Sequence, residues 1–242
     1  MVSKSVRLEK LTWIEAEEAF RKYDVVIIPL GAITKEHGPH LPLNNDWIMA
    51  EYLTRRVAEQ VPAIILPTIQ YSYYPSFIEY PGSVSLSLET SKNIVKEICV
   101  SLSRYGVNKF YVLNTGISTI DALKQAQEEL EQGGIILRYT NLNEIEECIE
   151  LDQEGGTHAD ESETSMMLYI KPEIVNLTKA VEDYNPLSGR GLSRDPDNKT
   201  AGVYSETGIF GDPTLATVEK GEIIVEALIK NIIDEIKTLI HQ

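Results

Sequence analysis

The run Val25-Val26-Ile27-Ile28-Pro29-Leu30, ended by Gly31, constrains the fold more than any other feature. A continuous aliphatic segment this short reads as a strand covered on both faces, as in parallel sheets flanked by helices. The surrounding chain fits that reading. Thr12-Trp13-Ile14-Glu15 has capping-box form and opens a helix to about Tyr23. Trp47 to Val61 repeats apolar residues at helical spacing. Ala63–Ile69, Phe110–Leu113 and Ile135–Tyr139 read as further strands. Thr90–Tyr105, the stretch from Ser118 to Gly133, Glu163–Ile170 and Glu219–Ile240 read as helices. Strand and helix alternating in this way mean βαβ units. The expected fold class is α/β, with a mostly parallel central sheet and helices on both faces. No linker, repeat or low-complexity segment divides the chain, so residues 1–242 are expected to form a single domain. Residues 183–214, rich in Pro, Gly, Asn and Asp, read as one long surface loop.

Charge and composition narrow the partners. The chain has 242 residues, 43% hydrophobic and 24% charged, enough to bury a full core. Lys and Arg number 22 against 37 Asp and Glu, a formal charge of −15 with no basic run. That argues against nucleic acid and against an anionic membrane surface as partners, and the plain reading of the charge is solubility. No apolar run reaches the ~20 residues of a membrane helix, and the first residues lack the apolar core of a secretory signal. Cys99 and Cys148 are far apart and form no CxxC pair. The expected location is therefore the cytoplasm.

In parallel sheets, ligands bind where the strands end, so the loops after Leu30, Ile69 and Leu113 should line one pocket. The first of these, residues 31–46, places Glu36, His37, His40 and Asp46 within eleven residues. Imidazole and carboxylate are ligands for Zn, Mn or Fe. Asp46 could equally cap the helix at Trp47, with His40 at the surface or behind the ligands. Spacing alone leaves both open.

The segment His37-Gly38-Pro39-His40-Leu41-Pro42-Leu43, followed by Asp46, resembles the signature loop of the creatininase (creatinine amidohydrolase) family. That family also includes formamide deformylases and a peptide-maturation enzyme. Three more stretches match in order: Tyr80-Pro81-Gly82-Ser83, His158-Ala159 with Glu161 and Glu163, and Gly211-Asp212-Pro213-Thr214 through Gly221. The resemblance spans essentially the whole chain. It implies a three-layer α/β/α sandwich, a homo-oligomer (often a hexamer), and two divalent metals that activate water against a cyclic amide or formamide. It also implies that His37 and Asp46 are ligands, and that His158 lies near the substrate and passes a proton.

The departures from the pattern are as informative. Lys35 stands where the family has a ligand glutamate, Gly116 where it has a ligand histidine, and a third histidine before the Pro81-Gly82 turn is absent. Two readings follow. In one, Glu36 swings in beside His37 and Asp46 to hold one metal rather than two, with water completing the shell. In the other, the Lys35 ammonium replaces a metal and the site holds none. An extended backbone would put Lys35 and His37 on one side and Glu36 on the other, whereas a turn would cancel that argument.

The remaining candidates are fewer. His158 with Glu161, Glu163 and Lys35 are assigned catalytic roles; Asn114, Thr115, Ser118 and Tyr74 are assigned to the substrate. Plain capping of the helix would account for the Ser118 and Thr119 hydroxyls in full. The aromatic stretch Tyr71, Tyr73, Tyr74, Phe77 and Tyr80 suits an oligomer interface. Arg190 and Arg194 are the other cations available to an anionic substrate. Cys99 is expected in the core. The function these features imply is metal-dependent hydrolysis of a non-peptide C–N amide, cyclic ones included, by an activated water. The alternative is a degenerate member that binds a small molecule or assembles without catalysis.

Overall fold

The computed structural model describes residues 5–142, 149–184, 192–195, 197 and 203–242. Five strands form one sheet: β1 (Val6–Arg7), β2 (Val25–Leu30), β3 (Ile64–Ile65), β4 (Lys109–Asn114) and β5 (Ile136–Tyr139). Their order is β1-β3-β2-β4-β5 and every pairing is parallel. Residues on β2 are wholly buried, as its aliphatic run requires.

Pleat alternation splits the core into two layers. Val25, Ile27, Tyr111 and Leu113 face α2 (Asn45–Ala58), α5 (Glu161–Ile170) and α6 (Val218–His241). Val26, Ile28, Phe110 and Val112 face α1 (Trp13–Lys22), α3 (Leu88–Ser103) and α4 (Ile120–Glu131). The result is a three-layer α/β/α sandwich. A short parallel pair, β6 (Leu192–Ser193) with β7 (Val203–Tyr204), lies outside the main sheet.

Several expectations shift. The strand expected over Ala63–Ile69 keeps only Ile64–Ile65 as ladder, because Pro67 has no N–H to give. The chain rejoins β2 at an isolated Leu30–Ile69 bridge. β1 had no sequence signal. The aromatic segment is mostly internal: Tyr74, Phe77 and Tyr80 form a small buried cluster with Ala32 and Leu192, so those three are not an exposed interface. Tyr71 does remain exposed. Cys99 is buried on α3, as expected, and burial pushes its thiol up to about 12. Cys148 and Arg190 lie outside the described residues, and Arg194 is exposed. Among the described residues no helix is long and apolar enough to cross a membrane.

Candidate active site

The loops after β2 and β4 and the start of α5 meet at the carboxyl end of the sheet. Gly31 directly follows β2, and a Cβ there would lie 2.4 Å from the Asp46 carbonyl oxygen. Only glycine permits that approach, which brings the first residues of α2 against the strand end. Asp46 does not cap α2: Asn44 precedes the helix, and its side chain makes no capping bond. Instead Asp46 is fully buried between two cations or would-be cations. Lys35 Nζ lies 2.8 Å from Oδ2, and His37 Nε2 lies 2.8 Å from Oδ1.

Lys35 and His37 both reach Asp46, while Glu36 does not. Glu36 accepts from the Gly38 N–H and faces His158 Nε2 at 3.1 Å. The expected trio of Glu36, His37 and Asp46 is therefore not what converges. Among the described residues, the group whose ligating atoms all lie within 4.8 Å of one another is His37, His158 and Glu163.

Charge follows from this arrangement. Burial opposes the Lys35 ammonium, but Asp46, Glu163 and Glu36 outweigh it and raise its pKa. Burial would raise Asp46, but Lys35 and His37 pull it well below the usual carboxylate range. The ammonium also sits over the Phe77 ring at 4.9 Å and the Tyr74 ring at 5.8 Å. Burial likewise opposes charge on His158, yet Glu36 and Glu163 overcome it and raise its pKa.

His37 decides whether a metal fits. Its Nδ1 lies 2.9 Å from the Lys35 carbonyl oxygen, and its Nε2 faces the Asp46 carboxylate. Both partners are acceptors, whereas a neutral imidazole carries one N–H. A second positive charge, a proton or a metal ion, must therefore sit where Nε2 meets Oδ1. An ion there fits the donor set, with Glu163 and His158 close by. A second ion on Oδ2 does not fit, because that oxygen already holds the ammonium.

His158 is held from several directions. Its backbone bridges Phe210 in the loop before α6, and its ring packs 4.4 Å from Phe77. Ala159 adopts φ 49, a left-handed conformation uncommon for a residue with a side chain. Glu163 Oε2 accepts the Ala159 N–H at 2.6 Å and lies 3.6 Å from His158 Nδ1. Glu161, expected in the same role, points elsewhere. Two residues apart on a helix do not share a face. Its buried carboxylate accepts from Lys220 and from the Asp152 and Gln153 N–H groups. His40 is buried against Thr164, 2.8 Å from Nε2 to Oγ1, and burial lowers its pKa to about 4.

The residues assigned to substrate divide similarly. The Asn114 amide is engaged with Gly116 and Thr119 in its own turn and with the Thr140 carbonyl just past β5. The Thr115 hydroxyl donates to the Leu30 and Asp46 carbonyls. Thr119 also bonds inside that turn rather than capping α4, and no side chain caps α4. Ser118 lines the cavity. The Tyr74 hydroxyl is buried without a hydrogen-bond partner, its pKa raised by burial and by Asp46. Gly208, from the long loop, abuts Glu36, a contact sequence spacing could not show. A cavity of about 850 Å³ opens over Lys35, His158, Glu163 and Phe77.

An α/β/α sandwich with an imidazole–carboxylate cluster at the strand ends defines a candidate metal-hydrolase scaffold. The comparisons place it more narrowly. The Creatininase family model, described as creatinine amidohydrolase, matches residues 9–236, and the chain belongs to that family. Creatinine amidohydrolase of Pseudomonas putida is 29% identical over 258 residues, covering 98% of each chain. Mycofactocin precursor peptide peptidase of Mycolicibacterium smegmatis is 29% identical over 219 residues, covering 88% of this chain and 84% of the relative. A crystal structure of creatinine amidohydrolase superposes with a TM-score of 0.79 at 27% identity, covering 98% of this chain and 99% of that one. A manganese creatininase and a Zn–Zn type variant each match with a TM-score of 0.78 at 26% identity, covering 98% and 99%.

Proposed function

We propose that this chain hydrolyses a C–N bond in a non-peptide amide with one divalent ion. The carrying observation is the convergence of His37, His158 and Glu163 within 4.8 Å of one another, with His158 and Glu163 lining the cavity and His37 buried behind them. Relatives named as an amidohydrolase, a peptidase and a deformylase support the reaction class, and the Mn and Zn–Zn creatininase structures support a divalent ion.

In this reading His37 and Glu163, with the Asp46 carboxylate against His37 balancing its charge, would hold the ion, which would supply Lewis-acid activation of water near neutral pH. Lys35 neutralises the other half of Asp46 and presents a fixed positive charge to the cavity. His158 holds a proton beside Glu163 and passes it to the departing nitrogen. Glu36 positions that ring and does not itself touch the ion. Phe77 covers the ammonium and excludes water from it.

A second reading has one specific observation behind it. The Lys35–Asp46 pair already balances the buried carboxylate, so a metal-free protein that binds its ligand without turnover would also be stable. Metal analysis separates the two. Protein loaded with Mn, Zn or Fe should retain one equivalent after dialysis, lose it on Asp46→Ala, and hydrolyse members of an amide, formamide and lactam panel. Absence of retained metal, or of turnover across the panel, would overturn the hydrolase and leave the binding protein.

A further inference from the structure

The cavity says more about the substrate than the charged cluster does. Among its polar groups, Lys35, His158, Glu163 and Ser118 come from the loops after β2 and β4 and the start of α5. Another part of its wall is aliphatic: Met49, Met166 and Ile224 from α2, α5 and α6, with Leu142, Ile149 and Leu151. Those six belong to, or pack against, the core layer beneath. Among the described residues that part of the wall carries no cation: Lys35 is bound to Asp46, and Lys124, exposed on α4, lines the cavity elsewhere. Against those six side chains themselves an anionic group finds no partner. A compact polar ring would reach the charged cluster but leave most of about 850 Å³ unfilled.

We propose that the substrate is an amphipathic amide, its amide group at Lys35, His158 and Glu163 and an uncharged aliphatic chain against the Leu142–Ile149–Leu151 wall. The inference rests on the hydrolase reading only for where the amide sits. The chain-binding wall stands on its own lining.

The test is a homologous series of acetamide, butyramide and hexanamide on the metal-replete protein. Affinity is read by isothermal titration where there is no turnover and as KM where there is. Each methylene buried against the wall should tighten binding by about fourfold. Leu151→Asn and Leu142→Asn, checked for an intact melting transition, should flatten the series. Affinity that stays level or falls from acetamide to hexanamide would overturn the proposal, as would a full chain-length dependence in both folded variants. Tightening along the series without hydrolysis would support the wall and overturn the hydrolase. Hydrolysis with no chain-length dependence would do the reverse.

Discussion

Lys35→Met tests whether the ammonium is a structural replacement for a metal charge. The pair it breaks is nearly dry, with the side chains 4% and 1% exposed and 2.8 Å apart. Removing one partner of such a pair leaves a buried charge uncompensated and costs about 3–5 kcal/mol. At this chain length that lowers Tm by roughly 6–20 °C. If the freed Asp46 Oδ2 then accepts a divalent ion, ion at a hundred times its Kd should restore about 2.7 kcal/mol. Differential scanning calorimetry in chelator and in Mn or Zn reads both quantities. Wild-type protein should gain stability from one equivalent of ion, and Lys35→Met should start lower and gain from two. Lys35→Glu with Gly116→His should show the same stoichiometry. A Cβ at Gly116 would meet Thr119 and Tyr74 at 3.6–3.8 Å, ordinary contact, so the backbone there accepts a side chain. The reasoning fails if Lys35→Met in chelator loses less than about 1 kcal/mol, or if wild-type protein binds two equivalents unaided.

Three further outcomes follow from individual contacts. Gly221→Ala puts a Cβ 1.9 Å from the Ser165 carbonyl oxygen where α6 crosses α5, so it should destabilise by about 1–3 kcal/mol, visible as a lower Tm. Glu161→Ala should cost about 2–4 kcal/mol, through orphaned Asp152 and Gln153 N–H groups, while turnover well below the melting transition stays intact; a turnover loss there would return Glu161 to the catalytic set. His40 has a folded pKa of about 4, below its ordinary 6.5, so the unfolded chain takes up its proton first as the solution is acidified. Stability should therefore fall as pH drops through that window, by about 1–3 kcal/mol, and urea melts of His40→Gln should show a shallower fall.

How much of this could be read from sequence depends on whether the signal was local. β2 and the six long helices were legible because each carries its own pattern: an aliphatic run, a 3.6-residue period, a capping Thr12. β1 was not, because Val6 and Arg7 become a strand only by pairing with Ile64 and Ile65. The site divides the same way. That Glu161 and Glu163 part company follows from helix geometry once α5 starts at Glu161, whereas that Lys35 and His37 both meet Asp46 depended on a loop conformation the sequence left open. What no local pattern carries is the approach of Phe210 to His158 and of Gly208 to Glu36, across more than fifty and more than a hundred and seventy residues. Those contacts fix the ring of His158 and aim Glu36 at it. The long loop therefore acts on its own chain's site, and it does so through glycine: at Gly208, φ 78, a Cβ would lie 2.1 Å from the Glu36 carboxylate. A larger residue there would push Glu36 off His158 while leaving every motif in the first half of the sequence unchanged. The length and composition of that loop, read alone, suggested a functional loop or an interface without saying whose site it serves.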